Sequence, residues 1–162
     1  MNRFTQKGTT TVEFAIVGTA MMLVLLLSIE MSRMIFVINT LGEVTRRGGR
    51  MAAVCPINDP EIARIAVFNS TGGDSSPIIH DLDTSNILLS YLNETGDLVS
   101  GTLTDPANFV QIHYVRVEVQ NFTHRMILPI PVSFTMPAQA ATYPRESLGI
   151  PREGVIQPCS VG

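Results

Sequence analysis

Apolar residues run from Phe14 to Ile29 without a charged side chain, and apolar positions at helical spacing continue past Glu30 and Arg33 toward Ala53. This pattern predicts one helix from about Thr11 to Ala53, roughly 64 Å long at 1.5 Å per residue, far beyond a typical globular helix. Its first half suits a membrane. Continuing the span through Glu30 and Arg33 to Ile38 gives about 38 Å, enough to cross a hydrocarbon core of about 30 Å, with Glu30 and Arg33 spaced to pair at its outer boundary. The second half is expected to carry a head, presenting Leu41, Val44 and Met51 toward a sheet. Cys55-Pro56 ends the helix, because proline disfavours helical backbone at the residue before it.

Beyond Pro56 the pattern changes to short, punctuated elements. Asn58-Asp59-Pro60-Glu61 reads as an N-cap with proline at the first helical position, predicting a short helix over Glu61 to Phe68. Residues 69–74 form a loop rich in Gly, Ser and Thr. Ile87 to Leu92 and Leu98-Val99 flank the turn set Glu94-Thr95-Gly96-Asp97, predicting a hairpin. Alternation is clearest from Phe109 to Phe122, where the apolar phase switches between Val110, Ile112, Tyr114 and Val115, Val117, Val119; a bulge near Tyr114 accounts for the switch. Ile127 to Pro131 reads as a stiff connector, and Phe134 to Thr142 as a last strand that Pro137 makes irregular or marginal. A three- or four-stranded, mainly antiparallel sheet on the rear half of the long helix buries both apolar faces. The tail from Pro144 onward is expected to wrap back toward Cys55.

Glu13 is the anomaly in the apolar run. A charged group in hydrocarbon costs roughly 2.5–3.5 kcal/mol on insertion scales, so this carboxylate calls for a partner or a boundary position. Three readings of the segment compete: a cleaved secretory signal, a plain anchor and a buried helix of a soluble protein. The near match to a small-x-small cleavage site, Gly18-Thr19-Ala20, is followed by seven more apolar residues, which disfavours the first. Arg3 and Lys7 precede the span with no acid among the first twelve residues, holding the leader in the cytoplasm by the positive-inside rule. The remainder of the chain is then exported.

The 162 residues, 45% of them apolar, leave room for one compact domain besides the membrane segment. Both cysteines, Cys55 and Cys159, fall on the exported side, one at each end of the head. A disulfide between them is expected in an oxidising compartment. A metal site built from these cysteines and His80, His113 and His124 is disfavoured, since none lies at the spacing of structural zinc ligands. Asp81 and Asp83 fall short of a calcium-binding EF-hand loop. The P-loop, HExxH, GxSxG and dinucleotide fingerprints are absent from the sequence, and no cofactor is expected.

Lys7-Gly8-Thr9-Thr10-Thr11-Val12-Glu13-Phe14 resembles the class III signal of type IV pilin-like proteins. More specifically, residues 7 to 54 resemble the TadE-like family of tight-adherence (Tad or Flp) pilus proteins. The resemblance implies that a prepilin peptidase cuts between Gly8 and Thr9, leaving Glu13 as the fifth mature residue. In assembled fibres of this kind, that carboxylate neutralises the new α-amino group of a neighbouring subunit. It further implies three segments: a leader at 1–8, a transmembrane and long N-terminal helix at 9–54, and an exported periplasmic head at 55–162. The expected fold is α+β, a pilin-type transmembrane helix bearing a small, mainly antiparallel β-sheet head and one short helix.

The expected role is that of a minor pilin or pseudopilin that primes, tips or supports the fibre. The expected partners are the membrane, the peptidase, other pilin subunits and the assembly platform. A type II secretion pseudopilin and an uncleaved, anchored periplasmic binding protein are the alternatives; an enzyme comes third. Removing residues 1–8 shifts the formal net charge from −3 to −5, which disfavours nucleic acid as a partner. Arg46, Arg47 and Arg50 form, with Glu43, a charged helical stripe that is either a solvated face or an interaction site. Gly48 and Gly49, each about 1 kcal/mol less favourable than alanine in a helix, mark either a hinge or a close approach to the head.

Overall fold

The computed structural model describes residues 9–69, 72–126, 133–150 and 159. A single helix, α1, occupies Thr9–Val54. At 46 residues it is about 69 Å long, ending one residue before Cys55-Pro56. Its hydroxyl side chains do not interrupt it, because they fold back onto carbonyls one turn earlier: Thr19 Oγ1 donates to Ala15 O at 2.8 Å and Ser28 Oγ to Val24 O at 2.8 Å. An apolar stretch can therefore include them without a bare donor.

The two halves of α1 differ in what covers them. Every residue from 9 to 29 is exposed, although most are apolar. From Glu30 onward one stripe is buried: Glu30, Val37, Leu41, Val44, Thr45, Gly48, Gly49, Ala52 and Ala53. Those steps follow the helical period, so a single face turns toward the head. The head packs on Val37 and Leu41, while Met31, Ile35, Phe36 and Ile38 on the other faces stay exposed, so the exposed apolar surface of α1 continues past Glu30 to Ile38.

The head opens with α2, Pro60–Ala66, capped as expected by Asp59, whose Oδ1 accepts from Glu61 N at 2.9 Å. A 3₁₀ turn, Thr84–Asn86, leads into β1, Ile87–Leu92. A four-residue helix, α3, spans Pro106–Phe109 and is followed by β2, Tyr114–Val119; then come β3, Thr123–Arg125, β4, Ser133–Thr135, and β5, Gln139–Pro144. The main sheet is antiparallel in the order β1-β2-β5, with Tyr91 opposite Val115 and Val117 opposite Ala141. β3 and β4 form a separate antiparallel pair, with His124 opposite Phe134.

Three strand expectations need correction. Phe109 to Phe122 is not one strand with a bulge: Asp105 accepts from Ala107 N and starts α3, so Val110 to His113 turn, and regular pairing begins only at Tyr114. Ile112 is buried because it plugs the core from that turn. Leu98-Val99 is not a full strand but a single bridge, Leu98 to Leu92, with Val99 N donating to Tyr91 O at 2.9 Å on the edge of β1 that β2 leaves open. Phe134 to Thr142 is two strands rather than one. The break falls around Pro137, so β4 joins β3 while β5 joins the main sheet. The expected connector, Ile127 to Pro131, lies outside the described residues.

Two neighbouring clusters make up the core. Val37, Leu41 and Val44 of α1 meet Ala66, Val67, Ile79, Leu82, Val119 and Phe122. Ala52 and Cys55 meet Ile62, Tyr91, Ile112, Val115, Val117 and Leu148. Tyr91 is buried, yet its hydroxyl accepts from Asn58 N at 2.9 Å. Burial pushes its phenol pKa above the usual value.

The glycine pair is a close approach. A Cβ on Gly48 would stand 2.9 Å from Ala66 Cβ, and one on Gly49 2.5 Å from the Tyr143 ring. These contacts bring α2 and β5 hard against α1, an approach that the missing side chains permit. Gly49→Val is therefore expected to destabilise the head by about 1–3 kcal/mol, the usual cost of overpacking. Gly42→Ala, whose added methyl meets only the Arg46 guanidinium at 3.7 Å, should be neutral or stabilising. Denaturant midpoints of the detergent-solubilised variants distinguish them, and equal midpoints would refute the packing account.

Candidate assembly and membrane-boundary sites

Thr9 is the first described residue and already helical; Gly8, Arg3 and Lys7 lie outside the described residues. Glu13 follows one turn later on the same helical face. It is exposed, and among the described residues it has no ion-pair partner. A carboxylate beside the first turn of a helix is favoured by the helix dipole, and at this position it is also free to meet a charge from another molecule.

Seventeen residues further along, and about 26 Å away by helical rise, Glu30 closes the apolar segment. It is 3% exposed. Its carboxylate accepts from Arg33 Nη1 at 3.0 Å and lies 3.3 Å from His124 Nε2, a residue itself 4% exposed on β3. The pair with Arg33 was legible from the i, i+3 spacing. The contact with His124 was not, because it joins residues 94 apart in sequence. A buried carboxylate without such partners would be strongly destabilising, so this junction fixes where α1 leaves the head. The cluster continues outward through Arg125 Nε, 3.4 Å from Asp81, whose carboxylate also lies 3.2 Å from His80 Nδ1.

Arg46, Arg47 and Arg50 are all exposed. Arg46 lies 3.5 Å from Glu43, and the Arg47 guanidinium stands 5.1 Å above the Phe68 ring. The first contact lies within α1, and the second lays Arg47 against the head. Asp83 caps the 3₁₀ turn, and Asp81 faces Arg125 and His80. Among the described residues no group of three or more His, Cys, Asp or Glu side chains is placed to hold a metal ion.

Cys55 and Cys159 form the disulfide, with their Cα atoms 5.5 Å apart. Its surroundings explain how the C-terminal part is drawn in. Cys159 N donates to Asp59 Oδ2 at 3.1 Å, Gly149 N donates to Val54 O at 2.7 Å, and Leu148 is buried in the second core cluster. One aspartate thus caps α2 and receives the C-terminal strand of backbone.

Residues 8–50 match the family model of the TadE-like proteins, roughly a quarter of the chain. The match begins at Gly8 and ends at Arg50, taking in Glu13, Glu30 and the arginine stripe but none of the sheet. No curated protein and no solved structure matches the chain.

Proposed function

We propose that this chain, TadE-like in its N-terminal region, is a minor pilin or pseudopilin of a Tad/Flp-type pilus, acting by assembly rather than catalysis. The observation that carries the reading is the division of α1. A 21-residue apolar segment stands free of the head, begins at Thr9 and has its only carboxylate at Glu13. That segment has the length of a single-pass anchor, and residues 1–8 form the leader ahead of it. Arg3 and Lys7 favour a cytoplasmic N-terminus, which leaves the head at 55–162 in the periplasm, where its disulfide persists. Processing between Gly8 and Thr9 leaves a cationic α-amino group one turn from Glu13. In a fibre, Glu13 of one subunit neutralises the terminus of the next. Its other partners are the prepilin peptidase, fellow pilin subunits and the assembly platform.

Sequencing the mature N-terminus in peptidase-competent cells tests the proposal. A chain beginning at Thr9 is expected from the wild type, and an unprocessed chain from Gly8→Phe. An intact Met1 in the wild type would leave an uncleaved anchored protein as the reading instead.

A further inference from the structure

Two adjoining cavities lie where the free segment of α1 meets the head. The upper one, about 340 Å³, is bordered by the polar side chains of Arg33, His80, Asp81, His124 and Arg125 together with apolar walls that include Phe36. The lower one, about 450 Å³, runs along the helix past Leu25, Ser28, Ile29 and Ser32. Arg33 and Phe36 border both, so the two form one trough whose upper end carries paired charges with spare N–H donors and whose lower end is apolar. The serines add little polarity, since both hydroxyls are turned onto backbone carbonyls, Ser28 to Val24 O and Ser32 to Ser28 O.

The trough straddles the residue pair Ile29-Glu30, at which burial of α1 against the head begins. With the free segment of α1 in a bilayer, the trough's lower end lies at acyl-chain depth and its upper end among headgroups. The arginines have donors to spare. Arg33 uses Nη1 on Glu30 and Arg125 uses Nε on Asp81, while a guanidinium carries five N–H donors. Glu30 and Asp81 balance these two cations, so the site matches a ligand that offers one phosphodiester group rather than a highly charged polyanion.

We propose that this trough binds one membrane glycerophospholipid. Its phosphodiester is held by Arg33 and Arg125, and one acyl chain lies along Leu25, Ile29 and Phe36. The site would fix the depth and rotation of the head on the periplasmic leaflet before the subunit leaves the membrane. This rests on the membrane placement given above but not on processing or fibre entry.

Native mass spectrometry of the full chain, released from nanodiscs of phosphatidylglycerol and phosphatidylethanolamine, tests it. One lipid is expected to remain bound to the wild type after the detergent-like shell is stripped. Its occupancy should fall at least fivefold in Arg125→Gln, a change at an exposed side chain that leaves the core alone, and fall also in Arg33→Gln. Arg50→Gln should retain it. Equal occupancy in wild type and Arg125→Gln would overturn the proposal, as would displacement of the lipid by inorganic phosphate alone. Recovery of the chain in the membrane fraction, measured in parallel, separates the two ideas: a chain absent from membranes refutes the placement, whereas a membrane-bound chain without selective lipid refutes the site.

Discussion

Glu13→Ala is expected to be processed and inserted normally yet to enter fibres at least tenfold less than the wild type. The α-amino group that the proposed cleavage creates at Thr9 and the carboxylate one turn later are each tolerable at the aqueous edge of the membrane. In a helical fibre both would lie against neighbouring apolar helices. Leaving one charge unpaired in such a setting costs on the order of 3–5 kcal/mol, and every 1.4 kcal/mol is a factor of ten in the assembly equilibrium. Glu13→Gln should behave like the alanine variant, because it keeps the shape and hydrogen-bonding capacity but loses the charge. Quantitative blotting of sheared fibres against membrane fractions provides the measurement. Undiminished incorporation of both variants would remove the pairing role. The structure sharpens this prediction by giving Glu30, the next carboxylate along α1, its partners in Arg33 and His124, while among the described residues Glu13 has no ion-pair partner.

Removing the disulfide is expected to have the largest effect on stability. Cys55 and Cys159 close a loop of 104 residues, for which chain entropy gives up to about 4.7 kcal/mol, with residual structure in the unfolded state reducing the figure. Cys55→Ser with Cys159→Ser should shift the denaturant midpoint of the head downward by an amount corresponding to 2–4 kcal/mol, the usual range for native disulfides, on the order of a large fraction of a small domain's stability. The double variant should also become sensitive to protease near Cys159 while remaining in the membrane, since residues 9–29 take no part in the head's core. An unchanged midpoint would show that Leu148 and the backbone bonds to Ala53 and Val54 hold the C-terminal region by themselves.

Local signals were legible wherever one short window sufficed. The long helix followed from uninterrupted apolar content, its end from Cys55-Pro56, and α2 from Asp59-Pro60. The strand reading failed where the outcome depended on a partner. Alternation over Phe109 to Phe122 was real, but Asp105-Pro106 captured its beginning for a helical turn, and no window over the strand itself reveals that competition. Pro137 was read as a blemish in one strand. Instead it divides two strands that belong to different sheets.

By itself the sequence determined the apolar segment, the charged leader, the position of Glu13 and the two cysteines available for pairing, because each is a matter of residue type and local spacing. Tertiary structure decided where the head's contact with α1 begins. Glu30 reads in sequence as a charge at the rim of a longer span, but His124 reaches it from β3 and turns it into a buried junction. It likewise decided that Gly48 and Gly49 are contact points and not a hinge, since only the positions of Ala66 and Tyr143 reveal what a side chain there would strike. The reason is common to both: burial is set by residues distant in sequence, and a helix does not announce which part of its length another element will cover.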